Sequence, residues 1–507
     1  MPSAASPLAG LPRPTGIAER RLSELAALSG GSIRGADTEV TGITASSDRV
    51  RPGDLFAGVP GHATHGAAFA AQAVAGGAAA VLTDVAGSSL LPATTPALVV
   101  DDVRAVLGPV AAAVYEWPSR ALRVLGVTGT SGKTTTTFLV RAGLQAAGRV
   151  PGLIGTVATM IGDDEIKTGF TTPEAPDVQA LLAVMRERAV TDVAMEVSSH
   201  ALAMGRVGAV EFAVGAFTNL SEDHLDFHPD MTRYFEAKSL LFGAHTRRAV
   251  IVVDDVWGNR MAEVVGPCTT VTTTGGEATW RATDIEELAD GTTRFIASGP
   301  GVEVATGCAI PGRYNVANAL LALAILHEDG APPDIAAPAV ATAVVPGRME
   351  RVDAGQDFLA VVDYSHKPAA VEGALRALRP LTRGRLIIVL GCGGDRDRAK
   401  RPLMGQIAAR DADLLIVTDD NPRNEEPAAI RRAMLDGALA LPAGRRGDVR
   451  EIGDRAEAIA TAVALAAPGD TVLVAGKGHE RGQEIAGVVH PFDDRDVLRA
   501  ALLEVAG

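Results

Sequence analysis

From about Ala121 onward the chain repeats one arrangement: a short β-branched apolar run, a polar or glycine-rich stretch, then a helical pattern. Before residue 346 the runs are RVLGVTG, DVAMEVSSH, FAVGAFTNLSEDH and AVIVVDD. After it they are FLAVVDYSHK, RLIIVLGCGG, LLIVTDDNPR and TVLVAGKGHE. Continuous apolar runs alternating with helices predict parallel strands buried on both faces. Ligands of such sheets bind beyond the carboxyl ends of the strands, which is where each run carries its Gly, Asp, His, Lys or Arg. The pattern predicts two α/β domains with their active edges facing a shared cleft.

The leading part of the chain differs. Its apolar runs (DLFAGV, AAAVLTD, ALVVDD) are shorter and separated by Gly/Pro turns. A chain of 507 residues suits about three domains. The expected fold is α/β throughout. A smaller N-terminal α/β domain spans 1–120, with 1–16 as a flexible tail. A central P-loop-type parallel-sheet domain spans 121–346, and a C-terminal Rossmann-like α/β domain spans 347–507. Prolines in APPDIAAPAVATAVVPGR predict a linker before the last join, with room for a short helix.

Composition narrows the class. Apolar residues at 47% and charged residues at 21% exclude a wholly disordered chain. A net charge of −14 argues against a non-specific nucleic-acid binder, which needs a basic face. Cys268, Cys308 and Cys392 form no CxxC pair. Neither a disulfide framework nor a zinc knuckle is expected, and a reducing, cytoplasmic setting fits. The Pro/Ala/Gly-rich start carries only Arg13 and no apolar core, so no secretory signal is expected. The stretch from Gly66 to Thr83 is too weakly apolar for a membrane span.

The strongest local signal runs from Gly126 to Thr135, between a strand pattern and a helix pattern. Glycines let backbone N–H groups approach phosphate oxygens, and the helix N-terminus adds positive charge. Gly129, Thr130, Ser131, Gly132, Lys133, Thr134 and Thr135 form the expected cradle. Lys133 would reach the β/γ-phosphates and Thr134 would hold Mg²⁺. Val127 stands where the strict pattern has Gly, making this a variant P-loop. Glu196, at the end of DVAME, is placed for Mg²⁺. Ser221 reads as a helix N-cap, with Glu222 and Asp223 in the first turn. By itself His224 reads as structural, and Lys238 as a solvated lysine on an amphipathic helix.

Three loops near the C-terminus stand out: Gly391 to Arg401, Asp419 to Glu425 and Gly476 to Glu480. Each alone reads as a turn or loop salt bridge. Together they offer Arg, Asp and Glu groups at one sheet edge, which suits a zwitterion. In the leading domain, SSDR (46–49) and GHATHG (61–66) read as polar turns.

In combination the motifs are recognisable. SSDRVRPGDLFAGVPG, GVTGTSGKTTT, FTTPE, EVSSHAL, TNLSEDHLDFH, FEAKSLLF, GRYNVANAL, PGRME, VVDYSHKP, GCGGDRDRAKRPLMG, DDNPRNE and GKGHE appear in this order. The chain resembles the Mur ligase family over nearly all its length after about residue 20, and within that family the diaminopimelate-adding type. The resemblance implies an ATP-dependent amide ligase of peptidoglycan precursor synthesis. It would add meso-2,6-diaminopimelate to UDP-N-acetylmuramoyl-L-alanyl-D-glutamate through an acyl phosphate, with ATP and Mg²⁺. It further implies a cytoplasmic monomer whose partners are these small molecules, with no nucleic acid and no membrane insertion.

Position by position, the resemblance assigns the nucleotide-sugar dipeptide to Ala45, Ser47, His62, Ala63, Thr64, Thr171, Thr172, Ser198 and Arg206. Asn318, Arg348 and Asp363 would join the phosphate loop around ATP. Thr134, Glu196, His224 and Lys238, the last as a carbamate, would serve magnesium ions. Lys133, Glu196, His224 and Lys238 form the catalytic group. Arg396, Asp420, Asn421, Pro422, Arg423, Gly476 and Glu480 would bind diaminopimelate, with Arg423 gripping its far carboxylate. Met204 stands where the family often has a polar Gln, and Phe170 where a polar Asn can occur, so the substrate contacts at these two positions are not carried over. Within the class the nearest alternative is a related Mur ligase or a folylpolyglutamate-type synthetase, against which the DNPR and DRDR clusters speak; from another class it is a non-catalytic nucleotide-binding or regulatory ATPase module with the same P-loop.

Overall fold

Leu386–Leu390 and Thr471–Ala475 are buried at every position, as uninterrupted apolar runs require when both sheet faces are covered. The computed structural model describes residues 11–61, 63–166, 170–225, 227–288 and 290–506. In it these two runs pair in parallel at the centre of one sheet. The sheet order is Glu350–Arg351, Leu359–Asp363, Thr471–Ala475, Leu386–Leu390, Leu414–Val417, Asp448–Glu451. Glu350–Arg351 pairs antiparallel and the others in parallel. Ile387, Val389, Val472 and Val474 pack with Ile459 and Val463 of helix Arg455–Leu465 and Leu498 of helix Asp494–Ala506.

A second sheet carries the glycine-rich motif. Its order begins Asp164–Ile166, Thr159–Ile161, Pro151–Ile154, Asp192–Glu196, Arg123–Thr128, Phe212–Phe217, Ala249–Val252, Thr269–Thr272. From Pro151–Ile154 to Thr269–Thr272 the pairing is parallel. Glu196 registers on Val127, and Thr128 on Phe217. The register brings three carboxyl ends level beside residues 129–132. Helix Ala175–Glu187 supplies Leu181 and Met185 to the core beneath them.

The third sheet runs Ser32–Arg34, Ala97–Val100, Ala80–Asp84, Asp54–Ala57, Gly42–Thr44. Ser32–Arg34 is antiparallel to its neighbour and the rest are parallel. Leu55, Leu82 and Leu98 pack with Leu107 and Val110 of helix Val103–Val114.

The chain divides into two compact units. One holds the residues up to Thr283 with Ala297–Val304 and Ala317–Val340; the other holds Asp284–Ile296, Ala305–Val316 and the chain from Ala341. The division expected at residue 120 therefore lies inside the first unit. Residues 11–16, read from sequence as part of a flexible tail, are held in place. Asp54 is 2% exposed and takes its partner from Arg13, whose Nη1 donates to both carboxylate oxygens at 2.5 and 2.7 Å. The backbone N–H groups of Thr15 and Gly16 donate to Glu187 Oε1. The proline-rich stretch before the last join forms helix Pro333–Thr342. Among the described residues, no helix is long and apolar enough to cross a membrane.

Candidate active site

Gly129 and Gly132 sit at φ 142° and 87°, backbone conformations that side chains disfavour, and helix Lys133–Ala146 begins directly after them. Thr130 N donates to the Asn219 carbonyl at 2.9 Å and Ser131 N to Asn219 Oδ1 at 3.1 Å. Thr218 Oγ1 donates to the Ser131 carbonyl at 2.6 Å. Lys133 folds over its own loop, with Nζ donating to the carbonyls of Gly129 (2.9 Å) and Thr130 (2.8 Å). A Cβ at Gly132 would stand 2.3 Å from Asn318 Oδ1, so the glycine lets Asn318 lie against the loop. Thr134 and Thr135 are buried in the first helical turn.

Glu196 is 1% exposed. Thr134 Oγ1 donates to its Oε2 at 3.0 Å, and Thr156 N donates to Oε1 at 2.9 Å. Thr156 Oγ1 lies 3.1 Å from Oε2 and 3.0 Å from Thr171 Oγ1. A buried carboxylate is stable only with such donors. Glu196 and Thr134 together present hard oxygen atoms beside a phosphate loop, a donor set that suits Mg²⁺.

Lys238 departs from its reading as a solvated lysine. It is 1% exposed, its Nζ donates to the Gly129 carbonyl at 2.8 Å, and it lies 4.4 Å from the Tyr234 ring centroid. Tyr234 in turn has its hydroxyl 3.2 Å from Thr130 Oγ1. Ser221 is not a helix N-cap. Its N–H donates to Thr130 Oγ1, which donates to its carbonyl, so the segment is tied to the phosphate loop. His224 adopts φ 54°, which interrupts a right-handed helix. The helix starts instead at Met231, where Asp230 caps the Arg233 N–H. The His224 ring packs edge-on to His200 at 4.7 Å, and His200 stacks on Phe227 at 4.1 Å. His228 Nε2 lies 3.0 Å from Ser199 Oγ.

Thr172 Oγ1 donates to the Glu196 carbonyl (2.9 Å) and accepts from Ser198 N (3.2 Å). Arg206 Nη1 donates to the Thr172 carbonyl at 3.2 Å. Thr171, Thr172, Ser198 and Arg206 are thus brought together next to Glu196. Ala45 follows strand Gly42–Thr44, Ser47 Oγ donates to Gln72 Oε1 at 3.2 Å, and Ala63 and Thr64 are exposed. His62 lies outside the described residues.

The C-terminal unit brings the three loops together. Gly476 takes φ 117°, and a Cβ there would stand 2.6 Å from Asp420 Oδ2. Asn421 Nδ2 donates to Glu480 Oε2 at 2.8 Å. Lys477, fully buried, donates to Asn421 Oδ1 at 2.9 Å and to Glu480 Oε2 at 3.3 Å. Burial, with the charge of Asp420, pushes the Glu480 carboxyl above its ordinary range. A Cβ at Gly394 would stand 1.9 Å from the Pro422 carbonyl oxygen, locking those two loops. Arg423 sits at φ 53°; its Nε lies 3.2 Å from Glu484 Oε2 and its Nη1 donates to the Gly394 carbonyl at 2.7 Å. Arg396 is exposed and donates to the Asp395 carbonyl. Elsewhere in the unit, Asp363 Oδ2 accepts from Met349 N at 2.8 Å. Arg348 stacks on Tyr364 at 4.6 Å, with its Nε buried and without a hydrogen-bond partner among the described residues.

Sequence reasoning missed Thr156, Tyr234, Asn219 and Lys477. The last stands inside the GKGHE motif, where an apolar run ending in Lys could have marked it.

Three family models cover most of the chain: the Mur ligase family catalytic domain at 39–115, the Mur ligase middle domain at 127–326, and the Mur ligase glutamate ligase domain at 347–478. A Streptomyces coelicolor protein named UDP-N-acetylmuramoyl-L-alanyl-D-glutamate–2,6-diaminopimelate ligase is 53% identical over 98% of this chain and 99% of its own. A UDP-N-acetylmuramyl-tripeptide synthetase of Leifsonia xyli subsp. xyli is 44% identical over 97% and 98%. A solved structure of a UDP-N-acetylmuramoyl-L-alanyl-D-glutamate–2,6-diaminopimelate ligase matches with a TM-score of 0.69 and 31% identity, covering 97% of this chain and 100% of that one.

Proposed function

Because the chain belongs to the Mur ligase family, we propose that it adds meso-2,6-diaminopimelate to UDP-N-acetylmuramoyl-L-alanyl-D-glutamate in peptidoglycan precursor synthesis. The reaction is ATP-driven amide formation, carried out in the cytoplasm by a monomer. The observation that carries it is the 53% identity, over 98% of this chain, to a protein named as that ligase; the bond from Thr134 Oγ1 to Glu196 at the end of the phosphate loop supports the nucleotide chemistry.

The proposed division of labour is nucleotide-sugar binding by 1–120, ATP binding by 121–346 and amino-acid binding by 347–507. The loop N–H groups and Lys133 hold the triphosphate, and Asn318, Arg348 and Asp363 serve the nucleotide. The side-chain carboxylate of D-glutamate attacks the γ-phosphorus, ADP departs, and an acyl phosphate forms. Lys133 offsets the charge gathered there. The neutral amine of diaminopimelate then attacks the acyl carbon, loses its proton, and phosphate leaves.

Thr134, Glu196, His224 and a carbamate on Lys238 would hold magnesium, which neutralises phosphate charge when bound. Thr172, Ser198 and Arg206 orient the dipeptide. Arg423 offers a fork suited to the second carboxylate of diaminopimelate, and Asp420 and Glu480 offer acceptors for its ammonium.

Phosphate release is expected to require both the nucleotide-sugar dipeptide and diaminopimelate. Steady release with ATP alone would instead leave a nucleotide-hydrolysing module.

A further inference from the structure

The segment from Phe170 to Glu174 meets one guanidinium at three points. The Phe170 ring centroid lies 5.0 Å from Arg206 Cζ. The Thr172 carbonyl accepts from Nη1 at 3.2 Å, and Glu174 Oε1 lies 2.9 Å from Nη2. The Arg206 side chain is 12% exposed, and its Nε is buried with no hydrogen-bond partner among the described residues. A guanidinium carries its donors in a rigid planar fork. The ring lies against the guanidinium, and the carbonyl and carboxylate each take one N–H of a terminal nitrogen; the second N–H of each is left for an incoming acceptor.

Glu174 stands at the N-cap of helix Ala175–Glu187 but makes no side-chain capping bond. Its carboxylate turns to Arg206, with Arg104 3.8 Å away on its other oxygen. Phe170 is 58% exposed, so core packing does not account for it. Stacking on a cation is what an aromatic ring can do there and an amide cannot do as well.

We propose that Phe170 and Glu174 are positioning residues for Arg206, holding its fork to receive an anionic oxygen of the nucleotide-sugar dipeptide. This rests on the substrate-binding role proposed for Arg206.

The test is the Kd of UDP-N-acetylmuramoyl-L-alanyl-D-glutamate, measured calorimetrically without ATP, beside steady-state kinetics. The proteins are the wild type, Phe170→Leu, Phe170→Tyr, Glu174→Gln and Arg206→Ala. Phe170→Leu is expected to raise Kd and KM about fivefold, and Glu174→Gln about tenfold or more. In both, kcat stays within about twofold and the melting temperature is unchanged. Phe170→Tyr restores wild-type binding. UDP-N-acetylmuramoyl-L-alanine, which lacks the D-glutamate, runs in parallel. A loss confined to the dipeptide supports the proposal through the glutamate carboxylate, and a loss on both ligands supports it through the pyrophosphate. Wild-type affinity in Phe170→Leu and Glu174→Gln, with binding lost in Arg206→Ala, overturns the proposal alone. Wild-type affinity in Arg206→Ala overturns the role of Arg206 itself.

Discussion

Lys133 and Lys238 donate to the same acceptor, the Gly129 carbonyl, at 2.9 and 2.8 Å. Two ammonium groups at one carbonyl repel each other. A carbamate on Lys238 would turn that repulsion into attraction. Lys238→Ala is therefore expected to lower kcat about 100- to 1000-fold. The wild-type rate is expected to fall when carbon dioxide is stripped from the buffer and to return with bicarbonate, while the variant responds to neither. A wild-type rate indifferent to bicarbonate removal contradicts the modification.

Thr156 orients Glu196 through its N–H and sits 3.1 Å from the carboxylate with its hydroxyl. Thr156→Val keeps the N–H and the shape but removes the hydroxyl. The Mg²⁺ concentration for half-maximal rate is expected to rise about ten- to hundredfold. A magnesium titration of the initial rate checks it, and an unchanged midpoint would separate Glu196 from the metal.

The parallel strands were legible because burial on both faces leaves an uninterrupted apolar run, and LIIVL and TVLVA have no other economical explanation. The phosphate loop was legible because its backbone geometry demands Gly129 and Gly132 in sequence. Glu196 was legible as a polar stop to an apolar strand. Lys238 was not, because helical periodicity says which face is buried but not what lies opposite. Its acceptor, Gly129, is 109 positions away. Ser221 was misread because Ser followed by acids has the composition of a cap whether or not a helix follows; the bonds to Thr130 decided otherwise. Thr156 left no local signal, since its role comes from strand Pro151–Ile154 pairing beside Asp192–Glu196.

Arg455 and Asp494 form a fully buried pair, with Nε and Nη2 each 2.7 Å from a carboxylate oxygen. Removing one partner strands the other charge away from water. Asp494→Ala is expected to destabilise the C-terminal unit by about 3–5 kcal/mol, read as a lower urea midpoint. A shift below about 1 kcal/mol, the scale of exposed pairs, would show that water reaches the site.

His366 is half-buried against Tyr364, with Nδ1 2.8 Å from the Tyr364 carbonyl. Burial pushes its pKa down to about 4, the carbonyl bond opposes this, and Lys400 and Lys367 push the same way as burial. Its folded pKa thus lies below the ordinary value of about 6.5. The neutral ring's contribution is complete above that value and is lost as pH falls from about 6.5 towards 4. His366→Gln is expected to flatten that part of the stability profile, compared by melting temperature between pH 4.5 and 7. An identical slope in both proteins would show that the ring titrates normally.

The proposed pairing of an acyl-phosphate ligase site with Arg423 as selector of a second carboxylate is tested most directly by one parallel assay. ATP, Mg²⁺ and UDP-N-acetylmuramoyl-L-alanyl-D-glutamate are supplied with either meso-diaminopimelate or L-lysine, and the product is read by mass. A nucleotide-linked tripeptide forming with diaminopimelate and not with lysine is the predicted result. Tripeptide formed from lysine in preference to diaminopimelate would contradict the role of Arg423, and no tripeptide with either would contradict the ligase itself.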